Sequence, residues 1–154
     1  MTGRSTPAVR LVGDDGEVRP PVPTSALDLL LRSDAELVAA QLEGSVEERF
    51  LHGHLAALRA GAALLEVTGR PRRRPMPRTV WDMVAAVAPE LEHWTSFFAA
   101  GAPARAAVEA GRGGAVDPER AEATVAAAED FQDAVRRTLA LDTPERGRLL
   151  LHAS

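Results

Sequence analysis

The chain has 154 residues, the length of a single domain, with 45% hydrophobic residues and a formal net charge of −4 at pH 7. It contains no cysteine, which excludes disulfides and thiolate sites, and no stretch has the length of an uncharged membrane span. Because alanine and leucine dominate its apolar content and aromatic residues are few, we expect an all-α protein. The absence of cysteine favours the cytoplasm, and we expect no cofactor and no metal site.

The chain begins with a segment that is typical of a disordered tail. Residues 1–23 mix glycine, proline and charge without a period, and they lack the apolar core of a secretory signal. Thr24 or Ser25 is predicted to cap a first helix that runs to about Gly44, with Asp28 in its first turn. The apolar residues of that helix are Leu27, Leu30, Leu31, Leu37, Val38 and Leu42. The break at Gly44 predicts an antiparallel hairpin with the next helix.

Residues 45–69 give the clearest helix prediction in the sequence. Ser45 and Glu48 have the spacing of a capping box, and Gly69 supplies the stop. Between these ends, apolar residues recur at steps of four and three, which places Leu51, Leu55, Leu58, Ala62 and Leu65 on one face. We expect this central helix to organise the packing of the others.

An arginine segment, defined here as residues 70–78, follows the central helix. It carries five arginines and no acid, and its prolines exclude a helix: the arginines are Arg70, Arg72, Arg73, Arg74 and Arg78. Without them the chain would have 13 basic and 22 acidic residues, a net charge of −9, so the segment is the one strongly positive stretch. Either it binds phosphates or it is a solvated linker, and the sequence leaves both readings open.

The second half of the chain predicts further helices and completes a bundle of about five to six. One helix starts at Thr79 and meets Pro89, and the next ends at Gly101. A third covers residues 102–111. Helical spacing favours a core role over base stacking for the aromatic residues Trp81, Trp94, Phe97 and Phe98.

The last long helix is predicted to start at Asp117 and Pro118 and to end near residue 140. Glu119 in its first turn and arginines near its end match the helix dipole. Residues 141–154 are expected to form a tail that can include a short helix.

Arg49 and His54 are the candidate catalytic residues. On one helix, positions five apart differ by about 140° in direction, so the two side chains cannot meet within one copy. Two copies that cross at a two-fold axis would bring them into one cleft, and small residues at steps of four, Gly53, Ala57 and Gly61, would allow that approach. The same small residues equally allow packing within one chain.

Such a cleft would suit metal-independent RNA cleavage. His54 would move the proton of a ribose 2′-OH or of the leaving oxygen, and Arg49 would hold the phosphate. Against this, an arginine and a histidine at this distance also occur by chance in an arginine-rich chain. Glu48 and His52 share a helix face, but two ligands do not make a metal site.

A resemblance to the actinobacterial, SAV-like branch of the HEPN domain family is carried by three segments: ERFLHGHLAALRAGAALL, GRPRRRP and TVWDMVAAVAPELEHWTSFFAAGAPARAAVEAG. It implies a helical bundle over residues 24–140, homodimerisation, and RNA or nucleotide binding in a toxin, defence or stress context. Many members are metal-independent ribonucleases with an arginine, four to six residues and a histidine, which Arg49 and His54 match.

The same resemblance leaves an alternative open. Phe50 stands where active members often carry a polar residue, and the motif lies in the second predicted helix, whereas in many HEPN ribonucleases it falls late in the bundle. A non-catalytic module that binds nucleic acid or a cognate partner protein is therefore the alternative function.

Overall fold

A computed structural model describes residues 21–72 and 77–141. These residues form five α-helices and one 3₁₀ helix and contain no β-strand, which confirms the predicted all-α bundle. The helices are α1 (Thr24–Leu42), α2 (Val46–Thr68), α3 (Val80–Val87), the 3₁₀ turn Pro89–Leu91, α4 (Glu92–Glu109) and α5 (Pro118–Thr138). Most of the predicted N-terminal tail, the C-terminal tail beyond residue 141, and Arg73 and Arg74 lie outside the described residues.

The first two helices form the expected antiparallel hairpin. The Ser25 hydroxyl donates to Glu66 at 3.2 Å near one end, and the Ser33 hydroxyl donates to the Ala56 carbonyl at 2.7 Å further along. The turn between them contains Gly44, as predicted.

Both ends of α2 lie where the sequence predicts them, and one hydrogen bond of the N-terminal cap differs. The backbone N–H of Glu48 donates to the Ser45 hydroxyl at 3.3 Å, and Gly69 ends the helix with φ of 78°, so both predicted ends are confirmed. The reciprocal half of the capping box differs, because the Ser45 N–H donates to Glu43 at 3.2 Å rather than to Glu48. A residue of the hairpin turn thus satisfies the orphan donor.

The predicted start of α1 was wrong in two details. The N-cap is Pro23, which makes no side-chain cap, and the first turn holds no acidic residue, so Asp28 lies beyond it. Val22, inside the predicted tail, is buried. The buried Val22 side chain therefore fixes the backbone just before α1, where no side chain caps the helix.

The helix predicted to stop at Gly101 continues to Glu109 as α4, with Pro103 inside it. The prediction of a separate helix over residues 102–111 was therefore wrong. Gly101 is buried in the packed face of α4, where a Cβ would lie 3.4 Å from Nδ1 of His54. Glycine serves here as a close-contact position rather than as a helix end, and packing outweighs the cost of an internal proline.

Helix α2 is the centre of the bundle, with α1, α3, α4 and α5 packed around it. Its most deeply buried residues are not the leucines that define its apolar period, since Leu51, Leu55 and Leu58 are only partly buried. The face that is buried deepest is made of Phe50, Gly53, His54, Ala57, Ala60, Gly61 and Leu64. Small residues on this face let neighbouring helices approach closely.

The small residues of α2 allow it to pack closely against other helices of the same chain. A Cβ on Gly53 would lie 3.1 Å from the Val125 side chain on α5, and one on Gly61 would lie 3.1 Å from Val80 on α3. Ala57, between them, is fully buried. The expectation that these residues could receive a second copy of α2 is therefore corrected, because α3 and α5 of the same chain cover them.

Replacing Gly53 by alanine is expected to destabilise the protein by about 1–2 kcal/mol. The new methyl would lie 3.3 Å from the backbone N and Cα of Val125, so α5 must shift, and this outweighs the helix propensity of alanine. Urea unfolding measures the change. Gly113→Ala is the matched control, since its Cβ would meet nothing within 4 Å; equal stability of both variants with the native protein would contradict this packing.

A buried polar network fastens α5 to α1. Arg136, which is almost fully buried, donates to Asp34 at 2.8 Å, and Gln132 donates to the other Asp34 oxygen at 2.6 Å and to Ser33 at 3.1 Å. A buried charge is costly unless it is paired, so Arg136 on α5 must stay within reach of Asp34 on α1. This pairing fixes how α5 lies across the hairpin.

Candidate functional site

His54 lies inside the bundle and not on a cleft. Its side chain is 1% exposed, and three aromatic rings surround it with centroids 5.8 to 6.0 Å away: those of Phe50, Trp81 and Phe98. Neither ring nitrogen has a hydrogen-bond partner among the described residues. His54 is therefore a polar group held in an aromatic cage.

The cage determines the protonation of His54. Burial, together with the charges of Arg105 and Arg120, lowers the pKa of His54 from 6.5 to about 4, although the charge of Glu109 opposes the shift. At pH 7 only about one imidazole in a thousand would carry the second proton. In this conformation His54 is a neutral ring and a weak proton donor and base.

Arg49 points away from His54, towards α5. Its guanidinium makes a two-pronged ion pair with Glu122, with Nη1 to Oε1 at 2.9 Å and Nη2 to Oε2 at 3.2 Å. The pair is partly exposed, while the Arg49 Nε is buried and has no hydrogen-bond partner in the part of the chain that the structure describes. A phosphate bound by Arg49 would have to compete with Glu122, which already takes the fork geometry that suits a phosphate.

The structure thus places the two candidate catalytic residues on different sides of α2, in keeping with the predicted angle between them. Arg49 contacts α5, and His54 contacts α3 and α4. Phe50, at the position where active members often carry a polar residue, is 1% exposed and belongs to a small cluster with Val116 and Ala121. No contact in the described residues joins Arg49 to His54.

His52 has a partner that the sequence analysis missed. Its Nδ1 lies 2.6 Å from an oxygen of Glu36 on α1, and Arg59 donates to the other oxygen at 3.2 Å. The signal was available, because Glu36 and His52 each lie eight residues from Gly44 and an antiparallel hairpin places them opposite each other. The described residues contain no group of three or more ligand side chains that could hold a metal ion.

The arginine segment differs from the other arginines in its lack of partners. Arg70, Arg72 and Arg78 are exposed and form no ion pair with any described residue. In the bundle, by contrast, four arginines are paired with acids: Arg49, Arg59, Arg105 and Arg136. Four further exposed arginines have no acid partner among the described residues and lie singly at other places: Arg32, Arg112, Arg120, whose guanidinium donates to the Ala100 carbonyl, and Arg137. The segment is therefore where unpaired positive charge is concentrated.

A shallow groove opens beside the arginine segment, at the end of α2. Its volume is about 280 Å³, and it is lined by Ala62, Leu65, Glu66, Gly69, Arg70, Val80 and Met83. Apolar side chains make up most of its lining, together with the guanidinium of Arg70 and the carboxylate of Glu66.

Comparison with known families places these features in context. The sequence model of the SAV-like HEPN family matches residues 39–136, more than half of the chain. The chain belongs to the HEPN family. No curated protein and no solved structure gives a significant match to it.

The matched region of this HEPN protein contains α2 to α4, the arginine segment and nearly all of α5. Arg49 and His54 lie inside it. Among the described residues, no helix combines the length and the apolar content needed to cross a membrane. The cytoplasmic location stays a prediction.

Proposed function

We propose that this HEPN protein is a non-catalytic module that binds RNA or nucleotides through the arginine segment. The observation that carries the proposal is the concentration of exposed, unpaired arginines at Arg70, Arg72 and Arg78, with Arg73 and Arg74 in the same stretch of sequence. Because these arginines have no acidic partner among the described residues, a phosphate can bind them without first displacing a carboxylate. The groove beside Arg70 would receive a base while the guanidinium holds the phosphate.

The HEPN assignment supports a nucleotide-related role in general terms. We further propose that the protein is a homodimer, and that a cognate partner protein can share its surface, in a stress, defence or toxin context. These statements rest on the family and not on a contact in the structure.

A second candidate is a metal-independent ribonuclease that uses Arg49 and His54. One observation favours it: the Arg49 Nε and both His54 ring nitrogens are buried and find no partner within residues 21–72 and 77–141, although such groups are normally satisfied. For this chemistry α4 would have to move away from α2, because Phe98 and Gly101 close the cage on His54. The closed cage makes the binding module the better-supported function.

Replacing Arg70, Arg72 and Arg78 together by serine is expected to weaken binding of single-stranded RNA at least 10-fold at low salt. The slope of log affinity against log salt should fall by about 2, since each lost phosphate contact on a single strand contributes roughly 0.7. Fluorescence anisotropy in a salt series measures both. Arg32→Ser/Arg112→Ser/Arg137→Ser removes the same charge from scattered sites and should keep most of the slope.

The same RNAs incubated in EDTA test the second candidate. We expect intact RNA with the native protein. Cleavage that disappears in both Arg49→Ala and His54→Ala would overturn the non-catalytic assignment, and equal binding by the two triple variants would overturn the role of the arginine segment.

A further inference from the structure

Helix α1 carries an apolar stripe on its solvent side. Among the described residues five large hydrophobic side chains are exposed, and three of them lie on α1: Leu31 at 65%, Val38 at 55% and Leu42 at 83% exposure. The other face of α1, with Leu30 and Leu37, is buried in the core. Helix α1 is therefore apolar on two opposite faces, and the described residues cover only one of them.

The stripe is continuous and free of charge. Ala35 is also exposed, and positions 31, 35, 38 and 42 fall within about 60° of one another around the helix axis. The nearest charge on one border, Asp34, is already engaged by Arg136 and Gln132 of the same chain. A face of this kind is typical of a helix that packs against another helix.

The spacing of the stripe is the same in both directions. From Leu31 the steps are four, three and four, and read backwards from Leu42 they are again four, three and four. In an antiparallel pair of such helices, related by a two-fold axis, every stripe residue meets a stripe residue. A self-complementary surface points to a second copy of the same chain.

We propose that α1 is the homodimer interface, formed by two antiparallel copies related by a two-fold axis between positions 36 and 37. Leu31 packs on Leu42 of the partner subunit, and Ala35 packs on Val38 of the partner subunit. Small against larger side chains at the centre allows close contact. This deepens the proposed homodimer by assigning its contact surface, and it replaces the crossing of α2 helices, which the fold encloses.

The charges bordering the stripe are compatible with this pairing. In the antiparallel register, Asp28 and Arg32 lie on the same edge of the contact as Glu43 of the partner subunit, whose height falls between them, so Arg32 can pair with one acid from each copy. Four side chains from each copy form a small contact, below the size of most stable interfaces. We therefore expect an equilibrium between monomer and dimer that shifts with concentration.

Val38→Glu is expected to raise the dissociation constant of the dimer at least 10-fold. Its carboxylate would enter the centre of the contact near a second copy of itself, whereas in the monomer Val38 is exposed and the fold is unaffected. Sedimentation equilibrium over a concentration series measures the constant, and circular dichroism verifies the helix content. Val67→Glu is the matched control, an exposed valine near the end of α2 that should leave the constant unchanged.

Cysteine cross-linking tests the register, since the chain has no cysteine of its own. A mixture of Leu31→Cys and Leu42→Cys is expected to form disulfide-linked dimers under mild oxidation. Neither variant alone should do so readily, because identical positions would lie about 16 Å apart along the axis. Efficient cross-linking of Leu31→Cys alone would overturn the antiparallel pairing.

The outcomes separate the two proposals. A dimer insensitive to Val38→Glu would overturn the α1 interface and leave the homodimer standing. A monomer at every concentration would overturn both. If that monomer also lost thermal stability on Val38→Glu, the stripe would be covered by the chain's own residues beyond 141. RNA binding in a salt series, measured on the same samples, reports on the arginine segment independently.

Discussion

Between pH 7 and pH 5, protonation of His54 is expected to lower the free energy of unfolding of the native protein by about 2 kcal/mol. The variant His54→Leu should not show this loss. The folded chain holds the pKa of His54 at about 4, whereas unfolding returns the pKa to 6.5. A lowered folded pKa means that the stabilising contribution is complete above pH 6.5 and is lost as the pH falls towards 4. The full difference corresponds to about 3 kcal/mol, of which about two thirds falls above pH 5.

The leucine variant should also be at least as stable as the native protein at pH 7. The substitution removes two buried nitrogens without partners and keeps a side chain of similar size among Phe50, Trp81 and Phe98. Stability alone does not separate the two candidate functions, because a catalytic residue is also commonly kept at a cost in stability. RNA that stays intact with the native protein would favour the binding module.

Urea unfolding at several pH values gives both results. His93→Leu is the control, because His93 lies on the exposed face of α4 and reports the effect of losing a histidine as such. Identical pH dependence in the native protein and His54→Leu would mean that His54 is solvated, and the closed cage would then be wrong.

The aromatic cage also shows why His54 could not be assigned from the sequence. His54 lies at the border of the predicted leucine face, whose members Leu51 and Leu58 are only partly buried, so that period did not predict its deep burial. Its neighbours Trp81 and Phe98 come from α3 and α4, which the period of a single helix does not report. Helix periodicity reports which side is apolar, whereas the identity of the partner depends on tertiary packing.

Local signals predicted the ends of helices well wherever a side chain makes the cap. Ser45, Thr79 and Asp117 each accept a hydrogen bond from the N–H three residues on. The prediction failed where a local signal competes with packing, as at Gly101, where a glycine typical of a helix end fits against the His54 ring inside α4. Hydrogen bonds within four residues can be predicted from sequence, and close contacts between distant helices cannot.

A homodimer built on α1 would hold two arginine segments at a fixed distance. Glu66 near the end of α2 contacts Ser25 at the start of α1, and the segment begins just beyond it, at Arg70. In the antiparallel pair the two copies of Ser25 lie at opposite ends, separated by the rise of 23 residues, about 35 Å along the axis. One RNA strand would have to span at least this distance to reach both segments.

The second large effect we predict is therefore a step in affinity with RNA length. Strands too short to span about 35 Å occupy one segment, and longer strands bind both, which raises the apparent affinity at least 10-fold because the second contact is intramolecular. Anisotropy measurements with an RNA series of one sequence type and stepped lengths detect the step. The experiment rests on both the arginine segment and the α1 interface.

Two variants separate these contributions. Val38→Glu should bind short strands like the native protein and lose the step, because a monomer offers one segment. Serine at Arg70, Arg72 and Arg78 should weaken binding at every length while the dimer persists. Affinity that rises smoothly with length and equally in Val38→Glu would contradict bivalent binding.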